Sequence, residues 1–362
     1  MALSTIQNNS FADTAVHGRR NLIINGAMQV AQRGNSTGIT SSGYYGPDRY
    51  TLQLSNLGTW SISQSTTAPS GFGNSYKLEA TTADASPAAG DYAIVIHRIE
   101  GQNLQQLKKG TSSAESVTLS FWVRSSKTGT YIIELFDQDN NRSISASYTI
   151  SSANTFEYKT LTFAGDTTGA LNNDNGTSLE VIWYLAAGST YTSGTLQTSW
   201  GARTAANQAV GQVNMADTAN ATFHITGVQL ELGSQATPFE HRSYGEELSL
   251  CQRYYEKSFS VGTAPANNTG EYNIKYTHLV SGYGTFTPVQ LAVTKRANPT
   301  VTLYNPTSTT ANRAVNTATG DAFTNSFTSS ASPNIIIFHI YGGTPDGTGN
   351  PVGFNWTAES EL

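Results

Sequence analysis

The sequence predicts an all-β protein: a jelly-roll β-sandwich, one connecting helix, then a second, smaller β domain. Three observations carry that expectation. From about residue 44 to residue 232, short runs of alternating apolar and polar residues recur at the spacing of an antiparallel sandwich, with no helical pattern between them. Tyr (18) and Phe (14), together with many Thr and Val, favour strands. The one convincing helical pattern stands between two such β regions. At 362 residues the chain exceeds what one core usually supports. The expected division is 1–20, a terminal segment; 21–242, the sandwich; 243–258, the helix; and 259–362, the second β domain.

Residues 1–20 are polar and end in Arg19-Arg20. Ile6, Phe11 and Val16 recur at a spacing that suits neither strand nor helix, so the segment is expected to be disordered when free and to order on a partner. Residues 21–34, NLIINGAMQVAQRG, read as a first strand with a bulge or turn at Asn25-Gly26. The chain turns at Gly46-Pro47 and enters a second strand in which Tyr50, Leu52 and Leu54 face one way. Asp48-Arg49 reads first as an ion pair locking that corner, and second as part of a ligand site. Further strands are expected at 60–64, 76–80, 93–100, 116–124, 130–136, 143–150, 156–163 and 179–186. Residues 187–221 are too long for a hairpin loop and are expected to form a surface excursion.

The stretch 222–258 organises the rest. In 222–232, His224, Thr226, Val228, Leu230 and Leu232 alternate with Phe223, Ile225, Gly227, Gln229 and Glu231, the pattern of a strand with one buried face. Gly233 and Pro238 then end regular pairing. Ser243 and Glu246 have capping-box spacing, and the helix is expected over 243–257. Leu248, Cys251 and Tyr255 share one face, Leu250 and Tyr254 the adjacent one. That apolar side is wider than one sandwich edge would cover, so these five residues are expected at or near a subunit contact. After the helix, strands are expected at 271–279, 285–291, 300–304, 335–340 and 354–356. Residues 307–332 read as a long exposed loop and 341–351 as irregular backbone.

Charged residues are only 12% of the chain, and the net charge is −5. That balance argues against nucleic acid or an anionic membrane as the main partner. One cysteine excludes an intrachain disulfide framework and a cysteine-based zinc site. No run is long and apolar enough to span a membrane, and the first residues lack a signal-peptide core.

No catalytic pattern holds, so a non-enzyme is expected, with no cofactor and no metal. Gly34-Asn35-Ser36-Thr37-Gly38 matches a nucleophile-elbow string without the helix that motif needs. Asp137, Asp139 and Asn141 occupy calcium-loop positions, but Arg142 replaces the required Gly and Tyr148 the bidentate Glu. The six histidines show no metal-ligand spacing, and neither Asp174/Glu180 nor Asp91/Glu100 singles out a hydrolytic dyad.

Four stretches together resemble bacteriophage tail-fibre and related virion proteins: NLIINGAMQVAQRG, the YYGPDRYTL corner, SVTLSFWVRSS, and GVQLELGSQATPFEHRSYGEELSLCQRYYEKS. The order of Asn21-Leu22-Ile23-Ile24-Asn25-Gly26, Ser120-Phe121-Trp122-Val123-Arg124 and Val228-Gln229-Leu230-Glu231 is similar to that of the jelly-roll carbohydrate-binding modules that accompany glycoside hydrolases. The ending GFNWTAESEL also resembles the last strand of phage fibre proteins. Such modules often carry an Asp before the closing strand that binds structural calcium; Thr226-Gly227 stands there instead.

The resemblance implies a virion protein, made in a host cytoplasm, assembled as a homotrimer and attached to other virion proteins through residues 1–20. It also implies recognition of host surface polysaccharide. Aromatic faces against sugar rings, with amides and hydroxyls for the hydroxyl groups, are the chemistry such recognition needs. Tyr191 and Trp200 lie in the excursion, where no strand pattern makes them core, and are the first carbohydrate-binding candidates. Tyr44 and Tyr45 offer either a loop platform or a subunit contact; Trp122 and Trp183 read as core, and Trp60 as either. Three functions compete: a non-catalytic fibre protein binding host glycan, a purely structural head-fibre or decoration protein, and, far behind, a glycan depolymerase.

Overall fold

The structure, a computed structural model, describes residues 19–271, 274–277, 285–317, 325–341 and 351–362. The expected attachment segment up to residue 18, and residues 342–350 of the irregular stretch, lie outside them. The chain is an all-β jelly-roll-type sandwich, a helix and a second β region, dividing into two compact units. The first contains the described residues up to Met28, Thr37–Gly43 and Tyr50–Arg242; the second contains Gln29–Ser36, Tyr44–Arg49 and Ser243–Leu362.

Thirteen strands build the sandwich: β1 (Ser36–Ile39), β2 (Gly43–Tyr44), β3 (Tyr50–Ser55), β4 (Thr59–Ser65), β5 (Ser75–Thr82), β6 (Tyr92–Glu100), β7 (Val117–Ser125), β8 (Gly129–Asp137), β9 (Arg142–Ile150), β10 (Glu157–Phe163), β11 (Thr177–Ala187), β12 (Gly201–Ala202) and β13 (Ala221–Leu232). One sheet runs β1-β4-β5-β13-β7-β10, the other β12-β9-β8-β11-β6-β3-β2. Between them lie Leu119, Phe121 and Val123 of β7, Ile133 and Leu135 of β8, Val181 and Trp183 of β11, and Phe223 and Ile225 of β13, all inaccessible to solvent. Trp60 is also fully buried, its indole N–H donating to Leu57 O at 2.7 Å.

The expected strand at 21–34 is not one. Asn25 and Met28 adopt left-handed φ of 60° and 57°, which breaks the pleat. The segment is nonetheless buried and stitched to β13: Leu22 N–H donates to Leu230 O at 2.9 Å, and Val228 N–H to Gly26 O at 2.9 Å. A Cβ on Gly26 would meet Val228 O at 2.2 Å, so only glycine allows this approach.

The alternation expected through 222–232 also changes phase midway. Pairing steps from Thr226↔Trp122 to Gln229↔Ser120, so β13 carries one extra residue, and Gly227 in it has φ 61°. Such a bulge moves the buried set from Phe223 and Ile225 to Val228 and Leu230.

A four-residue helical turn, α1 (Ser189–Thr192), follows β11 in the first unit, and the helix of the second unit is α2 (Tyr244–Gln252). Ser243 caps it, its Oγ accepting from Glu246 N–H at 3.3 Å. The helix stops short of the expected 257 because Tyr255–Lys257 forms β14, which pairs antiparallel with Thr357–Glu359. The remaining strands are β15 (Ile274–Thr277), β16 (Thr285–Gln290), β17 (Thr300–Tyr304), β18 (Val315–Asn316), β19 (Asn325–Ala331), β20 (Ile335–Tyr341) and β21 (Pro351–Glu359). β18 and β19 replace part of the expected loop 307–332: β19 is polar in sequence and is made a strand by pairing with the apolar β20. β21 is the hub, bordered by β14, β15, β17 and β18. Ile336, Phe338, Ile340, Phe354 and Trp356 fill the core.

Two segments from before residue 50 belong to this unit, not to the sandwich as the sequence division has it. The Gln32 side-chain amide donates to Asp48 Oδ2 at 2.6 Å and to Tyr255 O at 2.8 Å. Arg33 lies 3.8 Å from the Tyr255 ring centre and Arg49 3.4 Å from that of Tyr254. Both guanidinium groups reach Glu361, Arg33 at 3.2 Å and Arg49 in closer contact. Burial works most strongly against the charge on Arg49, but Glu361 together with Tyr254, Tyr44 and Cys251 outweighs it and holds its pKa above the ordinary value.

Because Arg49 is wholly inaccessible and Glu361 nearly so, Glu361→Gln is expected to remove a buried negative charge that faces the guanidinium groups of both Arg49 and Arg33. The loss should be about 3–5 kcal/mol. Denaturant unfolding followed by circular dichroism checks it, and a midpoint equal to wild type would contradict it.

Candidate functional site

The site grows from the rim of the sandwich, where β10 ends one sheet and β9 and β12 end the other. β8 and β9 are joined by a tight hairpin in which Asn141 takes a left-handed φ of 50°. The carboxylates of that region are bound to cations. Lys109 reaches Asp137 and lies 3.0 Å from Asp166, and it also donates to Thr168 O at 3.0 Å and Gly169 O at 2.9 Å. Arg142 is bidentate on Asp166, at 2.7 and 3.0 Å. Burial alone would raise the pKa of Asp166; the bonds from Arg142 and Lys109 outweigh it and hold it below the usual carboxylate range. Asp166 is therefore an ionised, fully engaged acceptor, not a proton donor waiting for a substrate.

Trp200 is mounted on this network. Its indole N–H donates to Ala164 O at 2.7 Å, fixing the ring plane, and the Lys109 ammonium lies 5.2 Å from the ring centre. The half-buried ring borders an open cleft of about 530 Å³, lined also by Arg142, Asp166, Thr162, Thr168, Thr198 and Ser199. A fixed aromatic face among hydroxyls and one compensated ion pair can stack on an apolar ring surface and exchange neutral hydrogen bonds with its substituents.

The other candidates lie elsewhere. Tyr191 is half-buried, edge-on to Tyr92 with ring centres 5.5 Å apart, and packs with Leu196 on Ile94, Ile96, Ile132, Ile182, Tyr184 and Ala209. This satellite cluster gives Tyr191 a packing role that its loop position hid. Arg203 of the same excursion is bidentate on buried Glu134, at 2.9 and 2.8 Å, and Tyr184 donates to Glu134 at 2.9 Å. The excursion thus closes over the outer face of the seven-stranded sheet. Tyr44 ends β2 and Tyr45 follows it, and Tyr44 donates its hydroxyl to Leu362 O at 2.9 Å within the second unit.

Of the five residues expected at a subunit contact, Cys251, Tyr254 and Tyr255 are 0%, 1% and 4% exposed within a single chain. Their apolar surface is used inside the protomer, which the wide helical face did not reveal. Leu248 and Leu250 are half-buried. Among the described residues, no three His, Cys, Asp or Glu side chains converge as a metal site.

Trp122, expected in the core, is half-buried on the outward face of β7, with its ring 5.3 Å from that of Tyr158, which is 45% exposed. Both were missed, yet the signal was present. Val117, Leu119, Phe121 and Val123 are the inward phase of β7, and Trp122 falls with Thr118, Ser120 and Arg124 in the polar phase.

These features define a jelly-roll-type β-sandwich with an open cleft at its rim, bordered by Trp200. No family model matches the sequence, and no curated protein matches it. Solved structures do resemble it. One is the enzymatically active domain of bacteriophage CBA120 tailspike protein 4, at 15% identity and TM-score 0.29, over 59% of this chain and only 21% of that one. Another is the family 11 carbohydrate-binding module of a Clostridium thermocellum cellulosomal cellulase, at 11% identity and TM-score 0.29, over 57% and 98%. A third is the tripod from the baseplate of bacteriophage Tuc2009, at 14% identity and TM-score 0.28, over 63% and 60%.

On the outer face of the six-stranded sheet, Arg124 lies 3.2 Å from His224 Nε2 and Ser75 Oγ 3.0 Å from Nδ1, while Ser75 donates to Thr67 O at 2.6 Å. Arg124 can only donate, so the imidazole is neutral and accepts at Nε2. Burial, then Arg124 and Lys77, lower the His224 pKa to about 3. A folded pKa below the unfolded one means that stability present above about pH 6.5 is lost as the pH falls toward 3. His224→Gln is expected to flatten that part of the stability curve, measured by denaturant melts between pH 7 and pH 4. An unchanged slope would contradict it.

Proposed function

We propose that this chain is a non-catalytic virion fibre protein whose sandwich binds host surface glycan during adsorption. The observation that carries the reading is the Trp200 cleft: an indole locked at its N–H, backed by Lys109 and surrounded by threonine hydroxyls. Its nearest carboxylate is committed to two cations, which suits holding a sugar and not cleaving one. The sequence resemblance to phage fibre proteins and carbohydrate-binding modules supports the same reading, as does a surface with few charges. Tyr191 packs in the satellite cluster and Tyr44 donates to Leu362 O, which leaves Trp200 as the favoured contact.

Neutral contacts are individually weak, about 0.5–1.5 kcal/mol net for a hydrogen bond. Adhesion therefore needs copies held in register, and a homotrimer provides them, with gains of roughly 10²–10⁴ over one site. Residues 1–20 are the proposed attachment to other virion proteins.

Trp200→Ala is expected to cost about 2 kcal/mol, or roughly thirtyfold, in binding of the protein to host surface polysaccharide. Tyr191→Phe should change it little. Retention on immobilised host polysaccharide measures both. If particles lacking the whole chain adsorb normally, the adhesin reading fails and a structural role in the virion replaces it. Leu250→Glu is expected to weaken the trimer while leaving the sandwich folded; light scattering that finds wild type monomeric at micromolar concentration would end the trimer proposal.

A further inference from the structure

We infer that the outer face of the six-stranded sheet carries a second saccharide-binding groove, taking the apolar faces of neutral sugar units and joined to the Trp200 cleft along β10. One polysaccharide chain would then occupy both. The inference rests on the glycan-binding reading above and extends it to a place that reading does not use.

The groove has two aromatic walls. On the sheet side stand Trp122 and Tyr158, their rings tilted 48° to each other. On the loop side Phe72, Phe239 and His241 form a triad with ring centres 5.0, 5.3 and 4.8 Å apart. Its floor is Gly227, the bulge residue of β13. A Cβ there would meet the Phe72 ring at 2.7 Å and Trp122 Cδ1 at 3.1 Å, so the glycine is what lets the two walls close to this spacing. The space measures about 580 Å³, within the range of small-ligand sites.

Its chemistry selects the ligand class. No carboxylate, lysine or arginine lines the groove, and its one imidazole, His241, is packed into the aromatic triad. Ser70 brings a hydroxyl group to it, while the Thr237 hydroxyl in its lining is held by Glu231 and Arg20, both at 2.6 Å. Beside the floor, the Val228 N–H is already engaged, donating to Gly26 O at 2.9 Å. Rings and a few hydroxyls, without charge, fit the alternating C–H faces and hydroxyl edges of a neutral pyranose chain.

The link to the first site is β10, an edge strand. Tyr158, Thr160 and Thr162 are its exposed, outward phase. Tyr158 lines the groove and Thr162 the Trp200 cleft. Four residues of strand set them roughly 13 Å apart, with Thr160 between.

The test is calorimetric titration of the full chain with neutral cello-, manno- and galacto-oligosaccharides, short and long, together with indole NMR of the five tryptophans. Wild type is expected to bind at least one series with affinity that climbs with chain length, and to shift the Trp122 and Trp200 signals together. Trp122→Ala with Tyr158→Ala should remove roughly tenfold or more of the long-chain gain while leaving short oligosaccharides on Trp200. Tyr158→Ser, at an exposed position, gives the same readout if the double variant fails to fold. Long-chain affinity unchanged in these variants but abolished by Trp200→Ala overturns the second groove and leaves the proposed function standing. No binding to any series by wild type overturns both.

Discussion

The outer face of the six-stranded sheet depends on one extra residue in β13. Without the bulge at Gly227, strict alternation would carry Gly227, Gln229 and Glu231 into the core with Phe223 and Ile225, and would put Val228 and Leu230 outside. The bulge resets the phase so that both halves of the strand bury apolar residues. Gln229 and Glu231 are then held by the corner that follows: Gln229 Oε1 accepts from Glu240 N–H at 2.8 Å, and Glu231 Oε1 from Thr237 N–H at 2.8 Å. That corner carries Phe239 and His241 to the sheet. The same missing side chain therefore sets the core register, the path of the chain after β13 and the width of the aromatic groove. A larger residue at 227 would meet a left-handed backbone and two rings at once.

The two aromatic features are positioned by different physics. Trp200 sits on an irregular excursion and owes its orientation to polar bonds, the indole N–H to Ala164 O and the cation beneath the ring. Lys109 is the common element, since it also neutralises Asp137 and Asp166 and ties down two carbonyls of the next loop. Removing its charge would leave two largely inaccessible carboxylates short of a partner, so the platform and the local fold fail together. Trp122, by contrast, stands on a regular strand and is fixed by its ladder, with the bulge and Tyr158 shaping its surroundings. One site is electrostatically mounted; the other is set by sheet geometry.

The sandwich strands were legible because their information is local. An apolar phase such as Val117, Leu119, Phe121 and Val123 announces both the strand and its buried face. What failed to show was decided by partners distant in sequence. β19 reads as loop and becomes a strand only beside Ile336 and Ile340 of β20. Tyr255 looks helical until β21 returns about a hundred residues later to pair with it. The segment 21–34 is apolar enough for a strand, but two left-handed residues and a close approach to β13 decide otherwise. Among the candidate residues, Trp200 stands out in the sequence because its loop gives it no core to join. Tyr191 had the same sequence signature and a different fate, because the cluster that holds it is assembled from β6, β8 and β11 and has no trace near residue 191.

That cluster also decides where on the sandwich a ligand can lie. The seven-stranded sheet has an outward face with Ile94, Ile96, Ile182 and Tyr184, apolar enough to bind something, and the chain's own excursion takes the place. It is fastened by packing through Tyr191 and Leu196 and by the Arg203–Glu134 pair, whose carboxylate is fully inaccessible. Lifting the excursion would expose this apolar surface and strip a buried carboxylate of its counter-ion at the same time. Neither cost is met by a weak sugar contact of a kcal/mol or so. The face is therefore closed by the chain itself, and any ligand would be left the surfaces that stay open. Among the described residues of the sandwich, Tyr158 is the one large apolar side chain counted as exposed, and Trp200 and Trp122 are the half-buried indoles. All three lie on or beside β10. The covering of one sheet and the opening of the other's edge are thus a single division of labour, set by how far the excursion reaches.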